Sequence, residues 1–99
     1  MALFVISWTD KPGALPTRMA AREDHLAYVR GFGAKIRLGG PFLDANGDMA
    51  GSLIMLEAET LAEAEAFHAA DPYKLAGLFE TSSVRAWRLT TGAGVPAKA

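Results

Sequence analysis

With 99 residues, 51% of them apolar and 21% charged, the chain has room for one thin-cored domain and lies well away from disordered and membrane compositions. Ten basic against eleven acidic side chains, with no Lys/Arg stripe, leave no electrostatic footprint for nucleic acid. The absence of cysteine removes disulfides, thiolate nucleophiles and thiolate metal sites, and two lone histidines do not make a zinc pair, so no metal is expected. No apolar run approaches the ~20 residues of a membrane span, and Met1 to Ile6 lacks a basic leader region, so the sequence predicts a cytoplasmic protein whose partner is a small molecule.

Leu3 to Trp8 alternates Leu3, Val5 and Ser7 with Phe4, Ile6 and Trp8, a strand with large apolar residues on both faces. After Asp10-Lys11-Pro12-Gly13, a helix is expected from about Pro16 to Arg30, its apolar stripe formed by Met19, Leu26 and Val29 and its end marked by Gly31 and Gly33. Lys35 to Phe42 reads as a short strand bent at Gly39-Gly40-Pro41, and Met49 to Glu57 as its hairpin partner. Thr60-Leu61-Ala62-Glu63 is a capping box opening a helix to about Ala70. Asp71-Pro72 offers an N-cap followed by proline, so a short helix is expected over Pro72 to Phe79. Ser83 to Thr90 is the last strand. Residues 1–90 thus form one α+β domain in the order β-α-β-β-α-β, the split arrangement of ferredoxin-like folds, and residues 91–99 a flexible tail. Two helices cover only one face of four strands. The apolar second face therefore calls for another copy, giving a homodimer or larger assembly.

Several residues stand out chemically. The expected stripe places Arg22 near its middle, with Arg18 and His25 on the adjoining edge; such an arginine is either paired within the chain or meets an anion in a cavity. His25 is the one side chain of that helix able to exchange a proton near neutral pH, or else an ordinary helix-edge histidine. Asp71 has a capping role ready for it and, if the short helix points inward, can also hold the His25 imidazole in one tautomer. Tyr73 can offer a phenolic hydroxyl or simply be buried, and the bend at Gly40 and Pro41 can bring backbone groups to a pocket. His68 reads as a core-edge residue, and Trp8, Phe42, Phe79 and Trp87 as core or interface.

Arg18-x-x-x-Arg22-x-x-His25-Leu26, Gly39-Gly40-Pro41, Ala70-Asp71-Pro72-Tyr73 and the closing Ser83-Val84-Arg85 strand together resemble the YciI family over about residues 2 to 90. The resemblance implies a ferredoxin-like fold that dimerises as a dimeric α+β barrel, with an active site centred on His25 and Asp71 and no inherited role for His68. Relatives in that family and superfamily include a dehydrochlorinase of a chlorinated hydroxyhydroquinone and muconolactone isomerases, which points to proton transfer on small enolic or phenolic rings. The leading reading is a lyase or isomerase needing no cofactor: His25 moves a proton, Asp71 orients it, Arg22 and Arg18 steady an anionic substrate, and Gly40, Pro41 and Tyr73 line its site. The alternative is a non-catalytic module binding a small aromatic or anionic molecule in the same pocket.

Overall fold

The computed structural model describes residues 2–95. Four strands, β1 (Ala2–Asp10), β2 (Ile36–Leu43), β3 (Met49–Ala58) and β4 (Phe79–Trp87), form one antiparallel sheet in the order β2-β3-β1-β4. Helix α1 (Leu15–Arg30) follows β1, while α2 (Leu61–Ala69) and the single turn α3 (Pro72–Leu75) lie between β3 and β4. This is the ferredoxin-like α+β architecture, with its split βαβ units. No helix among the described residues is long and apolar enough to cross a membrane.

Register explains which side chains go inside, because residues opposite one another in an antiparallel pair share a face. Phe4 pairs with Leu56 and Ala86, and Ile6 with Ile54 and Val84, so these residues line the helix side. There Phe4, Ile6, Trp8, Ile54 and Leu56 form the core with Ala64 and Phe67 of α2 and with Tyr73 and Leu78. Each large side chain so buried stabilises the fold by roughly 1.5–3 kcal/mol. On the opposite face Leu3 pairs with Trp87, Val5 with Met55, Leu38 with Met55 and Ser7 with Leu53; Trp87 remains exposed.

The turns follow their residues. Asp44 Oδ1 accepts from the N–H groups of Asn46 and Asp48, and Gly47 takes the positive φ that closes the β2–β3 turn. Thr60 Oγ1 accepts from the Glu63 N–H, the threonine half of the expected capping box. Gly51 is required by close approach: a Cβ there would stand 2.4 Å from the Trp8 carbonyl oxygen. Gly51→Ala is accordingly expected to cost about 1–3 kcal/mol by forcing β1 and β3 apart, read as a lower urea midpoint at unchanged slope.

Three sequence expectations are corrected. The short helix does not reach Phe79 but stops at Leu75, because Gly77 turns the chain at a φ of 73° and Phe79 already opens β4. The last strand runs Phe79–Trp87 instead of Ser83 to Thr90, its first residue pairing with Asp10 across an irregularity in register. Helix α1 is rotated about its axis by about a quarter-turn from the Met19 stripe, so Met19 is 52% exposed while Arg18 and His25 are buried. Tyr28, outside that stripe, stacks on Phe67 and donates its hydroxyl to the Phe67 carbonyl. Of the expected tail, residues 91–95 form no helix or strand, and residues 96–99 lie outside the described residues.

Candidate functional site

Arg18, Arg22 and His25 are spaced four and three residues apart, which places them on one face of α1. That face turns inward, with Leu26 and Val29 at its edge and Met19 left exposed. A cleft of about 300 Å³ opens between it and the β2–β3 hairpin, lined by these three residues together with Gly40, Pro41 and Tyr73, among others. Asp71 sits behind His25. Every residue singled out in the sequence as a site candidate is therefore at the cleft or one hydrogen bond from it.

At the centre, Nδ1 of His25 lies 2.7 Å from Oδ1 of Asp71, whose side chain is fully buried. The same oxygen accepts the Tyr73 N–H at 2.9 Å, capping α3. One aspartate thus performs both roles read from Asp71-Pro72: it starts the short helix and fixes the imidazole. The Tyr73 ring stacks on His25 at 4.0 Å between centroids and 16° between planes, and Trp8 meets the imidazole edge-on. With Nδ1 donating to an ionised carboxylate, Nε2 carries the lone pair and is the nitrogen left to the cleft. Such an imidazole can accept a proton there and return it.

The two arginines separate into different jobs. Arg18, 2% exposed, donates from Nε to Asp10 Oδ2 at 2.8 Å and from Nη2 to Asp10 Oδ1 at 3.1 Å. Its Nη2 also reaches the Gly51 carbonyl at 2.8 Å and Ser52 Oγ at 3.0 Å, and Trp8 Nε1 donates to the same aspartate at 3.1 Å. This buried ion pair ties α1 to β1 and β3, so the paired-arginine alternative raised for Arg22 describes Arg18. Arg22 is half-buried on the cleft wall and forms no ion pair among the described residues, which leaves its guanidinium available to an anion. Burial pushes the Tyr73 phenol above its ordinary pKa, against the opposing pull of Arg18 and Arg22, so it remains a protonated donor at neutral pH.

Sequence reasoning missed Asp10. Its signal was present: it continues the inward alternation of Ile6 and Trp8, and an inward carboxylate requires a cation. It also passed over Ser52, whose pairing with Trp8 puts it on the inward face of β3.

His68, at the end of α2, is buried flat against Phe79, with 4.8 Å between ring centroids and 7° between planes. Burial lowers its pKa, with Asp71 opposing and Lys74 adding to the shift. The unfolded chain thus binds a proton more readily than the folded one. The stability due to a neutral His68 is complete above about pH 6.5 and is lost as pH falls through the lowered folded pKa. His68→Phe, which keeps the stacked ring, is expected to flatten the acid side of the stability profile, measured as urea midpoints from about pH 7 down to about pH 5.

A ferredoxin-like sheet with a cleft on its helix side, where an imidazole meets a buried aspartate, defines the class as small ferredoxin-like α+β proteins. Within it, the YCII-related domain matches residues 2–88, and the chain belongs to that family. It is 36% identical to Protein YciI of Escherichia coli O6:H1, across 87% of this chain and 96% of that one, and equally to Protein YciI of Shigella flexneri. Among solved structures it is similar to the 5-chloro-2-hydroxyhydroquinone dehydrochlorinase (TftG) from Burkholderia phenoliruptrix AC1100, in complex with 2,5-dihydroxybenzoquinone. The two are 41% identical with a TM-score of 0.83, over 87% of this chain and 93% of that one. A nipsnap family protein from Agrobacterium tumefaciens, 17% identical with a TM-score of 0.57 over 95% of this chain and 92% of that one, shares the fold alone.

Proposed function

We propose that the protein is a cofactor-independent lyase or isomerase acting on a small phenolic or enolic ring, of the kind that eliminates chloride from a chlorinated hydroxyhydroquinone. The observation that carries this reading is the 2.7 Å contact between His25 Nδ1 and the buried Asp71 carboxylate, which leaves Nε2 at the cleft. The 41% identity to a dehydrochlorinase supports the substrate class. Nε2 takes a phenolic proton and delivers it to the chlorine-bearing carbon, giving a ring ketone. It then takes a second hydroxyl proton as the C–Cl electrons leave with chloride. Hydrogen chloride is lost, the ring becomes a quinone, and no outside oxidant is consumed. Arg22 steadies the enolate oxygen that develops between the two steps.

The direct test is to incubate the protein with 5-chloro-2-hydroxyhydroquinone and follow chloride release and quinone absorbance, with the protein-free solution as baseline. Chloride release above baseline is expected. Saturable binding without it would favour the rival reading, a module that binds an aromatic anion; that reading draws on Arg22, the cleft guanidinium left uncommitted.

A second copy of this chain is the partner we assign to the open sheet face, where Leu3, Val5, Leu38, Leu53 and Met55 are only half-buried within one protomer. A carboxylate placed there would be desolvated at such an interface. Val5→Glu is expected to halve the mass measured by light scattering without unfolding the protomer; an unchanged mass would sink the assignment.

A further inference from the structure

Among the described residues, the buried side-chain nitrogens and oxygens without a hydrogen-bond partner are His68 Nδ1, His68 Nε2 and Asp71 Oδ2. They belong to two residues only, three apart in the chain and joined by the Asp71 N–H donating to the His68 carbonyl at 3.3 Å. Scattered orphans would each need a separate account. A donor and an acceptor orphaned on two residues so near in the chain, the carboxylate of one acting on the imidazole of the other, point to each other where unmade hydrogen bonds are costly.

We propose that His68 is a positioning residue for Asp71: its imidazole N–H serves the second carboxylate oxygen, so that the carboxylate is held between two imidazoles and presents Oδ1 to His25 in one orientation. Oδ1 already takes two donors, Nδ1 of His25 at 2.7 Å and the Tyr73 N–H at 2.9 Å. A carboxylate held at one oxygen can still swing about that point. A donor at Oδ2 fixes its plane, and with it the direction in which the His25 ring is held. The His68 ring is packed flat on Phe79 and lies 5.7 Å from Trp8, so a half-turn about its own long axis exchanges its two sides without disturbing the stack.

Chemistry sets the form of the donor. Burial and Lys74 keep His68 from gaining a proton, against the pull of Asp71, so it offers one N–H and one lone pair. It therefore serves Oδ2 without placing a positive charge beside the His25–Asp71 contact. The charged groups bearing on it are Asp71 and Lys74; the faces of β1 and β4 against it present the rings of Trp8 and Phe79.

The inference rests on Asp71 orienting His25, and its test reads the hydrogen bonds themselves, so it succeeds or fails independently of turnover. In the wild type, long-range nitrogen–proton NMR of the imidazoles is expected to show His68 as a single neutral tautomer with a slowly exchanging N–H proton. In His68→Phe the Oδ2 donor is lost while the stack on Phe79 is kept. The carboxylate then becomes a stronger acceptor at Oδ1, and the His25 Nδ1–H proton signal is expected to move downfield. His68→Gln, which restores an N–H, is expected to bring that signal back toward the wild-type position. A His68 ring exchanging its proton like free imidazole, or a His25 signal unmoved in His68→Phe, would show that His68 only packs. The wild-type measurement decides the matter even where a variant fails to fold.

Discussion

Asp10→Ala is expected to lower stability by about 3–5 kcal/mol, because it leaves a guanidinium that cannot give up its charge buried without a counter-ion. Asp10 takes both the Nε and Nη2 donors of Arg18 as well as the Trp8 indole N–H, so one truncation strands the Nε and indole donors in the core and removes the counter-charge from Nη2. The Gly51 carbonyl and Ser52 hydroxyl remain to Arg18, but neither carries charge. For a domain of this size, whose whole stability is of the order of 5–15 kcal/mol, the loss is a large fraction. Arg18→Met is expected to cost less, since a stranded carboxylate can take up a proton and keeps the indole donor. The double variant is expected to cost less than the sum of the two, the signature of a direct pair in a double-mutant cycle. Urea midpoints with unchanged slope provide the measurement. An Asp10→Ala loss below about 1 kcal/mol would mean that the pair is solvated and carries little weight.

The same pair explains why part of the site was hidden in the sequence. Strand alternation, the hairpin, the threonine cap of α2 and the order of elements were all legible, because each depends on residues close in the chain. The stripe of α1 was not, although its apolar residues read plainly as Met19, Leu26 and Val29. The helix turns Arg18 inward because Asp10, eight residues earlier, faces in from β1; the ion pair and its bonds to β3 outweigh the exposure of one methionine. Hydrophobic periodicity cannot see a polar face whose partner lies on another element. His25 and Asp71 were named as a pair, and they meet at the N-terminal end of α3, although the helix ends at Leu75 where Phe79 was expected. His68 read as a core-edge residue, and it is buried against Trp8 and Phe79.

If the proposed reaction is the protein's own, His25→Ala is expected to reduce dehydrochlorination by roughly 10²–10⁴-fold, the range that a positioned acid/base group contributes. Its effect belongs in kcat, because Nε2 acts on the proton in flight and contributes little to holding the ring. Asp71→Asn separates geometry from charge. Its amide oxygen can occupy the Oδ1 position and still accept from His25 Nδ1 and the Tyr73 N–H, so the imidazole keeps its place and α3 its cap. What disappears is the negative charge that stabilises the imidazolium formed as the proton arrives, and a smaller loss of about 10–100-fold follows. Arg22→Ala should instead raise KM together with a lower kcat, since its charge meets both the bound anion and the enolate. Initial rates of chloride release for the three variants, each first shown folded by its urea midpoint, provide the comparison. Equal rates in His25→Ala and wild type would remove the imidazole from the chemistry and leave the cleft as a binding site. A loss in Asp71→Asn as deep as that in His25→Ala would mean instead that the carboxylate's charge, beyond the orientation it imposes, makes His25 a base.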